Sequence, residues 1–197
     1  GIDTFTGVTN VRGSQFGDTL VGGDGSESFR GIGGDDFIDG GAGDRDRADY
    51  RNSPDSVFVD LSAGIAQDGF GGTDTLVNIE RVRGSDLGDD TLIGDAGNNK
   101  LEGRDGDDTL IGGEGFDDLR GGSGDDTLDG SAGGRDFLVG GSGDDVLIGS
   151  VTDGGTAAYH DASSGIVGDL STGVVQDGNG GTDTLIDINT ILSLIHI

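Results

Sequence analysis

The chain contains no cysteine, methionine or tryptophan, and Pro54 is its single proline. Without cysteine, neither a disulfide nor a thiolate metal site can stabilise the fold. The two histidines, His160 and His196, do not lie in an H-E-x-x-H zinc motif, and the sequence has no G-x-S-x-G elbow and no phosphate-loop lysine. The sequence therefore predicts no catalytic site, and we expect any catalytic domain to lie outside these residues.

Apolar residues and positive charges are also scarce. Hydrophobic residues make up 31% of the 197 residues, too few for a thick globular core, and no apolar run is long enough to cross a bilayer. Eleven Lys and Arg oppose 38 Asp and Glu, and the net charge of −27 argues against nucleic acid and anionic membranes as partners. The composition is compatible with a disordered acidic linker or with a repeat structure stabilised by bound cations.

Glycine, with 44 residues, is abundant and periodic between residues 94 and 148. Six consecutive units follow the pattern G-G-x-G-x-D-x-U-x, where U is a large apolar residue. The units begin at Gly94, Gly103, Gly112, Gly121, Gly130 and Gly140, and the fifth has ten residues. This strict period argues against disorder and indicates a solenoid.

The spacing predicts a roll in which each unit contributes one turn and one short strand. Glycines at positions one, two and four allow the positive φ angles of a tight turn. The last three residues form a strand whose middle side chain points inward. Two units complete one coil, so residues eighteen apart should be neighbours. One sheet should contain Leu92, Leu110, Leu128 and Leu147, and the other should contain Leu101, Leu119 and Leu138.

The turns concentrate carboxylate and carbonyl oxygens, which are the ligands that calcium prefers. The predicted side-chain ligands at position six are Asp108, Asp117, Asp126, Asp136, Asp145 and Asn99. Further predicted metal-site residues are Gly94, Gly103, Asp105, Gly112, Glu114, Gly121, Ser123 and Gly140. A shorter, degenerate array runs from Gly13 to Asp39, and its best ligands are Asp18 and Asp36.

The nonapeptide signature resembles the RTX (repeats-in-toxin) repeats of bacterial proteins exported by type I secretion. The resemblance implies an all-β fold, a calcium-stabilised parallel β-roll, with two rolls joined and capped by short antiparallel strand segments. It implies ions between units i and i+2, about four in the main roll and one or two in the first. It also implies a secreted or cell-surface bacterial protein that folds on calcium binding, with the type I secretion machinery as a partner.

A larger repeat divides the chain further. We expect a partial module with a degenerate roll at 1–50, a strand connector or cap at 51–83, the main roll at 84–150, a second connector at 151–191, and a doubtful tail at 192–197. The chain begins within a motif, so we expect it to be part of something longer. Residues 56–69 recur as residues 165–178 and are predicted to form hairpins that cap the roll ends or cover a face. Tyr50 and Tyr159 occupy equivalent junctions, where packing is the simpler interpretation.

Two alternatives to a pure folding module stay open. One is a polysaccharide-binding roll, like those of alginate epimerases, for which an exposed stripe of basic and aromatic side chains would be needed. The other is self-association into a surface or filament protein. On the outer face, the eighteen-residue register places Lys100 beside Asp118 and Glu102 beside Arg120, which predicts two cross-strand ion pairs.

Overall fold

The computed structural model describes residues 7–193. Residues 1–6 and 194–197, which include His196 and most of the doubtful tail, lie outside the described residues. The described part consists of strands joined by turns, and none of it forms a helix that could cross a membrane. The expectation of an all-β fold is confirmed.

The strands are short, mostly three residues, because each nine-residue unit keeps only its last three residues for pairing. In chain order they are β1 (Asn10–Arg12), β2 (Thr19–Val21), β3 (Ser28–Arg30), β4 (Phe37–Asp39), β5 (Arg47–Asp49), β6 (Phe58–Asp60), β7 (Ile65–Gln67), β8 (Thr73–Val77), β9 (Arg81–Arg83), β10 (Thr91–Ile93), β11 (Lys100–Asp105), β12 (Thr109–Ile111), β13 (Asp118–Ser123), β14 (Thr127–Asp129), β15 (Asp136–Ser142), β16 (Val146–Ile148), β17 (Gly155–Ala158), β18 (Val167–Asp169), β19 (Val174–Gln176), β20 (Thr182–Ile186) and β21 (Thr190–Leu192).

Successive repeat strands alternate between two sheets, as the coil requires. Within residues 7–193, the nine-stranded sheet has the order β1-β3-β5-β9-β11-β13-β15-β17-β21, and all its pairs are parallel. The twelve-stranded sheet has the order β18-β19-β20-β16-β14-β12-β10-β6-β7-β8-β4-β2. The repeat strands of this sheet are also parallel to one another. The parallel β-roll is therefore confirmed.

A single column of inward side chains from each sheet forms the core. Leu110 pairs with Leu92 and Leu128 in the twelve-stranded sheet, and Leu119 pairs with Leu101 and Leu138 in the nine-stranded sheet. All of these leucines are fully buried. The predicted eighteen-residue register is confirmed, and the ten-residue unit is absorbed in its turn without shifting the column.

The connectors join the two rolls through hydrogen-bonded strands and do not cover a face. β6, β7 and β8 form the predicted antiparallel hairpin and following strand, and they lie between β10 and β4 within the twelve-stranded sheet. β18, β19 and β20 repeat the arrangement beyond β16. The expectation that a hairpin might cover a face is wrong, because the open backbone edge of the sheet offers unpaired N–H and C=O groups that these strands satisfy. The domain boundaries stay a prediction.

The two junction tyrosines are packing residues. Tyr50 and Tyr159 are 5% and 4% exposed and belong to the same hydrophobic cluster as the leucine columns. The Tyr50 hydroxyl donates a hydrogen bond of 3.0 Å to Asp74 Oδ2, so its polar end is satisfied inside the roll.

One of the two predicted ion pairs on the outer face is correct. Lys100 Nζ lies 3.0 Å from Asp118 Oδ2, as expected. The predicted pair of Glu102 and Arg120 is wrong, although the two residues are in register. Arg120 folds back to Asp118 on its own strand, and Glu102 binds Arg83 on the strand behind it, 2.8 Å away. Long side chains on a sheet reach diagonal and same-strand neighbours as easily as the direct partner.

The single-column core predicts a large effect from truncating one leucine. Replacing the fully buried Leu110 by Ala should lower the free energy of unfolding by about 2–5 kcal/mol, because no second layer can fill the cavity. The control is Thr109→Ala, a half-buried position on the outer side of the same strand, expected within about 0.5 kcal/mol of the parent. Urea unfolding at saturating calcium measures both, and equal midpoints for the two variants would contradict the described core.

Candidate metal centres

The repeat turns line the two edges of the roll. At the forward edge the chain crosses from the nine-stranded to the twelve-stranded sheet, through residues 13–18, 31–36, 84–90, 103–108, 121–126 and 140–145. At the return edge it crosses back through residues 22–27, 40–46, 94–99, 112–117 and 130–136. Successive units use opposite edges, so units i and i+2 are neighbours, as predicted.

The position-six aspartates of the forward edge form a hydrogen-bonded ladder. Asp108, Asp126 and Asp145 are each 1% exposed. The Oδ1 atom of each accepts the backbone N–H of the position-six residue one coil earlier. The distances are 2.7 Å from Asp90 N to Asp108, 2.8 Å from Asp108 N to Asp126, and 2.9 Å from Asp126 N to Asp145. One carboxylate oxygen therefore holds adjacent coils in register.

The same ladder runs along the return edge and through the first roll. Asn99 N–H donates to Asp117 Oδ1 and Asp117 N–H donates to Asp136 Oδ1, both at 2.8 Å. In the first roll, Asp18 N–H donates to Asp36 Oδ1 at 2.7 Å. The predicted position-six residues are thus brought together by the fold.

A second ladder, formed by position five, was missed in the sequence analysis. Asp107 N–H donates to Asp89 Oδ1, and Asp125 N–H to Asp107 Oδ1, both at 2.9 Å. Each of these exposed carboxylates accepts a backbone N–H from the following coil, whereas each position-six carboxylate accepts one from the preceding coil. The recurring Asp-Asp pair could have predicted this second ladder, because only one of the two residues can point inward.

The other oxygen of the buried aspartates has no hydrogen-bond partner. An Oδ2 atom that is buried and unpaired occurs in Asp36, Asp46, Asp108, Asp117, Asp126, Asp136 and Asp145. An uncompensated buried anion costs several kcal/mol, so a native structure contains such groups only where a cation or a proton balances them. The pattern indicates cation sites inside the turns.

Each unpaired Oδ2 lies near the first glycine of its own turn, and at Gly40 and Gly121 a backbone carbonyl from another coil lies beside the same point. A Cβ placed on Gly121 would lie 2.6 Å from Gly140 O, one coil later, and would collide with Asp126 Oδ2. A Cβ on Gly94 would likewise collide with Gly112 O and come 2.5 Å from the Asn99 side-chain oxygen. Carbonyl and carboxylate oxygens thus converge from units i and i+2, which is the donor set that calcium takes.

Side chains alone do not complete any of these sites. Within the described residues, no group of three or more His, Cys, Asp or Glu side chains is arranged to hold a metal ion. A metal ion in these turns would need backbone carbonyl oxygens beside the carboxylate, and a site of this kind favours calcium, which tolerates neutral oxygen ligands, over zinc. The residues present fit calcium.

In four turns of the main roll, a positive φ angle at position two accompanies an unpaired Oδ2 at position six; the ten-residue turn has an unpaired Asp136 Oδ2 without a positive φ at Ser131. Position two has positive φ at Arg104, Gly113, Gly122 and Gly141, with values from 93° to 138°. In each of these turns the position-six carboxylate keeps an unpaired oxygen. Arg104 adopts this angle without being glycine, and its guanidinium pairs with Asp86 on the adjacent turn.

In three other turns the side-chain oxygen of position six accepts a hydrogen bond from the position-two N–H. Ser14 N–H donates to Asp18 Oδ2 at 2.6 Å, and Asp95 N–H donates to the Asn99 side-chain oxygen at 2.7 Å. Ser85 N–H does the same to Asp90 at 2.6 Å. Asp18 Oδ2 and Asn99 Oδ1 are therefore bonded within their own turns, and the role of both residues as metal ligands stays a prediction.

Three predicted residues present exposed side chains. Asp105, Glu114 and Ser123 occupy position three, at the outer rim of their turns. Ser123 contributes its backbone to the edge, since its carbonyl accepts the Gly106 N–H at 2.9 Å. Any contribution of these three residues to a metal site would come from the carbonyl, and it stays a prediction.

Burial raises the pKa of the ladder carboxylates. The pKa of Asp126 is raised to about 8, and those of Asp108 and Asp145 to about 7. Loss of hydration is the largest cause, the ladder hydrogen bond opposes it, and neighbouring carboxylates raise the pKa further. The pKa values of Asp117 and Asp136 are raised to about 6 for the same first reason. Protons therefore compete with cations for these oxygens near neutral pH.

Comparison with known proteins agrees with this geometry. The model of the RTX calcium-binding nonapeptide repeat (four copies) matches residues 12–45, 85–119, 111–134 and 132–151, about half of the chain. A search of curated protein sequences returned no match. Among solved structures, the extracellular lipase LipA from Serratia marcescens is similar at 19% identity and a TM-score of 0.32, over 95% of this chain and 39% of the lipase chain. The chain thus spans well under half the length of that lipase. On the family match and the turns that carry it, the chain belongs to the RTX calcium-binding nonapeptide-repeat family.

Proposed function

We propose that this chain is a calcium-triggered folding module of a secreted bacterial protein, and that it stabilises or displays the rest of a longer polypeptide outside the cell. The observation that carries the proposal is the set of buried aspartates whose second oxygen is unpaired. Such oxygens need a bound cation or a proton, so at neutral and higher pH the roll and its ions form together.

The charge of the chain supports the same conclusion. A net charge of −27 opposes compaction, and divalent ions bound only by the folded form add their binding free energy to folding. Low calcium in the cytosol would keep the chain unfolded for export through the type I machinery. Millimolar calcium outside the cell would then fold it. We assign no reaction to this module; a catalytic domain would lie elsewhere in the parent protein.

The unpaired oxygens support a specific distribution of ions. In the main roll they occur in five consecutive turns, from Asp108 to Asp145, compatible with about four ions placed between units i and i+2. In the first roll they occur in Asp36 and Asp46, compatible with one or two ions. Asp46 was not among the predicted ligands, because the charged sequence around it hides the repeat.

Removing one ladder charge should weaken calcium binding without changing the shape of the turn. Asp126→Asn keeps the Oδ1 acceptor but removes the anion, and we expect loss of at least one ion and a higher calcium concentration for folding. The control is Asp129→Asn, three residues along, where the carboxylate lies on the outer face and accepts the Ser131 N–H at 2.9 Å. Calorimetry and circular dichroism during calcium titration measure both, and identical titrations of the two variants would contradict the assignment.

The raised pKa values predict how the calcium-free chain responds to pH. The folded pKa values of Asp108, Asp126 and Asp145 lie near 7–8, well above the ordinary aspartate pKa of 3.8, so the folded state binds more protons than the unfolded state. Stability of the calcium-free roll should therefore rise as pH falls and be lost as pH rises through about 7–8. Circular dichroism in chelator at pH 5.5 and pH 8.5 should show more β-structure at pH 5.5. Greater order at pH 8.5 would contradict this.

A second function, binding of a carboxylated polysaccharide, is favoured by one surface. The outer face of the nine-stranded sheet carries seven of the eleven basic residues of the chain, and the three outward acids of the same strands do not balance them. The basic residues are Arg12, Arg30, Arg47, Arg81, Arg83, Lys100 and Arg120. Among the described ion pairs none includes Arg47 or Arg81, which are directly paired in register. The excess of positive charge is centred on β9, where both outward residues, Arg81 and Arg83, are basic.

The polysaccharide function predicts a selective loss on neutralising this face. Arg47→Gln with Arg81→Gln should reduce affinity for uronate oligosaccharides at least tenfold, measured by calorimetry in calcium. Arg135→Gln, an exposed arginine on a return-edge turn, is the control and should bind as the parent does. Absence of binding by the parent chain would exclude this second function and leave the folding module unaffected.

A further inference from the structure

A buried carboxylate outside the nine-residue pattern lies at the end of each hairpin. Asp68 follows β7 and is 1% exposed. Its Oδ1 atom accepts the backbone N–H groups of Phe70 and Gly72 at 2.8 and 2.9 Å. Its Oδ2 atom is buried and has no hydrogen-bond partner. Asp68 therefore shares the defining property of the ladder aspartates without belonging to a repeat unit.

The unpaired oxygen of Asp68 points toward the neighbouring repeat turn. A Cβ placed on Gly72 would lie 2.8 Å from Asp68 Oδ2 and would collide with Gly34 O, so both oxygens face one small space. The turns are held together there, because Thr73 N–H donates to Asp35 Oδ1 at 2.9 Å and Asp36 N–H donates to Asp74 Oδ1 at 3.1 Å. Asp36, 2% exposed, also has an unpaired Oδ2.

The arrangement occurs a second time, 109 residues later. Asp177 follows β19, is fully buried, and accepts three backbone N–H groups through Oδ1. Its Oδ2 atom is unpaired and would lie 3.2 Å from a Cβ on Gly181, which would also collide with Gly143 O. Asp145, on the repeat turn below, has an unpaired Oδ2 as well. The arrangement thus recurs wherever the hairpin sequence recurs in the chain.

In the first hairpin, Asp74 continues the position-six ladder, but both of its carboxylate oxygens are hydrogen-bonded. Asp74 accepts the Asp36 N–H through Oδ1, as a ladder residue does, but its Oδ2 accepts the Tyr50 hydroxyl at 3.0 Å. The phenol thus occupies the oxygen that ladder aspartates keep unpaired. Asp68, reaching in from the antiparallel strand, replaces it as the anionic group beside the turn.

We propose that each hairpin turn completes a divalent-cation site of its own, with Asp68 and Gly34 O at one and Asp177 and Gly143 O at the other, and with calcium as the ligand. The proposal rests on the proposed calcium-dependent folding of the roll. Neither Asp68 nor Asp177 lies in the residues matched by the repeat family model or in a G-G-x-G-x-D unit. A carboxylate and a backbone carbonyl oxygen are hard-oxygen donors of the kind calcium takes, and the unpaired Asp36 and Asp145 oxygens lie on the facing turns.

A bound ion at these points would fasten each hairpin to the roll. β7 is paired only with antiparallel neighbours, and its far end is a short turn at residues 61–64. The ion joins the end of β7 to the turn before β4, so the connector would become ordered at the same calcium concentration as the roll.

The test uses the full chain with Asp68→Asn and Asp177→Asn together. Asparagine keeps the Oδ1 acceptor of the turn and removes the anionic oxygen. The matched control is Asp60→Asn with Asp169→Asn, the equivalent pair at the opposite ends of the same hairpins, where each carboxylate accepts local hydrogen bonds in an exposed turn. Native mass spectrometry at saturating calcium counts the ions bound to the folded chain.

The expected result is two fewer calcium ions in the Asp68/Asp177 variant than in the parent, and no loss in the control. Equal ion counts in both variants would overturn the proposal while leaving the calcium-folded roll intact. A parent chain that binds no calcium would overturn the proposed function as well. If the double variant does not fold, the single variant Asp177→Asn is the test, because its hairpin lies at the outer end of the sheet. This variant should bind one calcium ion fewer than the parent. An unchanged ion count would overturn the proposal.

Discussion

The fold depends on neutralisation of the negative charge that it buries. Each coil places two carboxylates inside the turns, with one oxygen of most of them bonded to the neighbouring coil and the other unpaired. The bonded oxygen sets the register and the unpaired oxygen requires a cation or a proton. Structure and binding are therefore one equilibrium: the ladder cannot form at neutral pH without neutralising the charge, and the sites do not exist without the ladder.

The thin core explains why the roll needs this arrangement. Each repeat strand contributes one fully inward side chain, and each coil touches only the coils beside it. Hydrophobic burial is thus small per residue, and in the proposed function bound ions supply the remaining stabilisation. At the two junctions, where the repeats stop, a buried tyrosine widens the core and the hairpin strands pair with the open sheet edge.

Features that follow from the nine-residue period could be predicted from the sequence, whereas features that depend on backbone conformation could not. The leucine register followed from the nine-residue repeat, because geometry alone determines which residues stack. Asp126 Oδ2 is unpaired, whereas Asp18 Oδ2 accepts the Ser14 N–H. The two turns also differ in backbone conformation at position two, which is not readable from residue type, since Arg104 adopts the same positive φ region as the glycines. Asp68 was not predicted as a ligand, because an antiparallel strand brings it to the repeat turn and the local spacing of the sequence does not indicate that contact.

The central claim is that the unpaired oxygens are calcium ligands. The most direct measurement is an anomalous difference map from crystals of the chain grown in calcium. Calcium ligation predicts peaks about 2.3–2.6 Å from Asp126 Oδ2, with Gly140 O in the same coordination sphere, and equivalent peaks along both edges. Carboxylates hydrogen-bonded to water or to backbone N–H groups at those positions, without anomalous peaks, would contradict it.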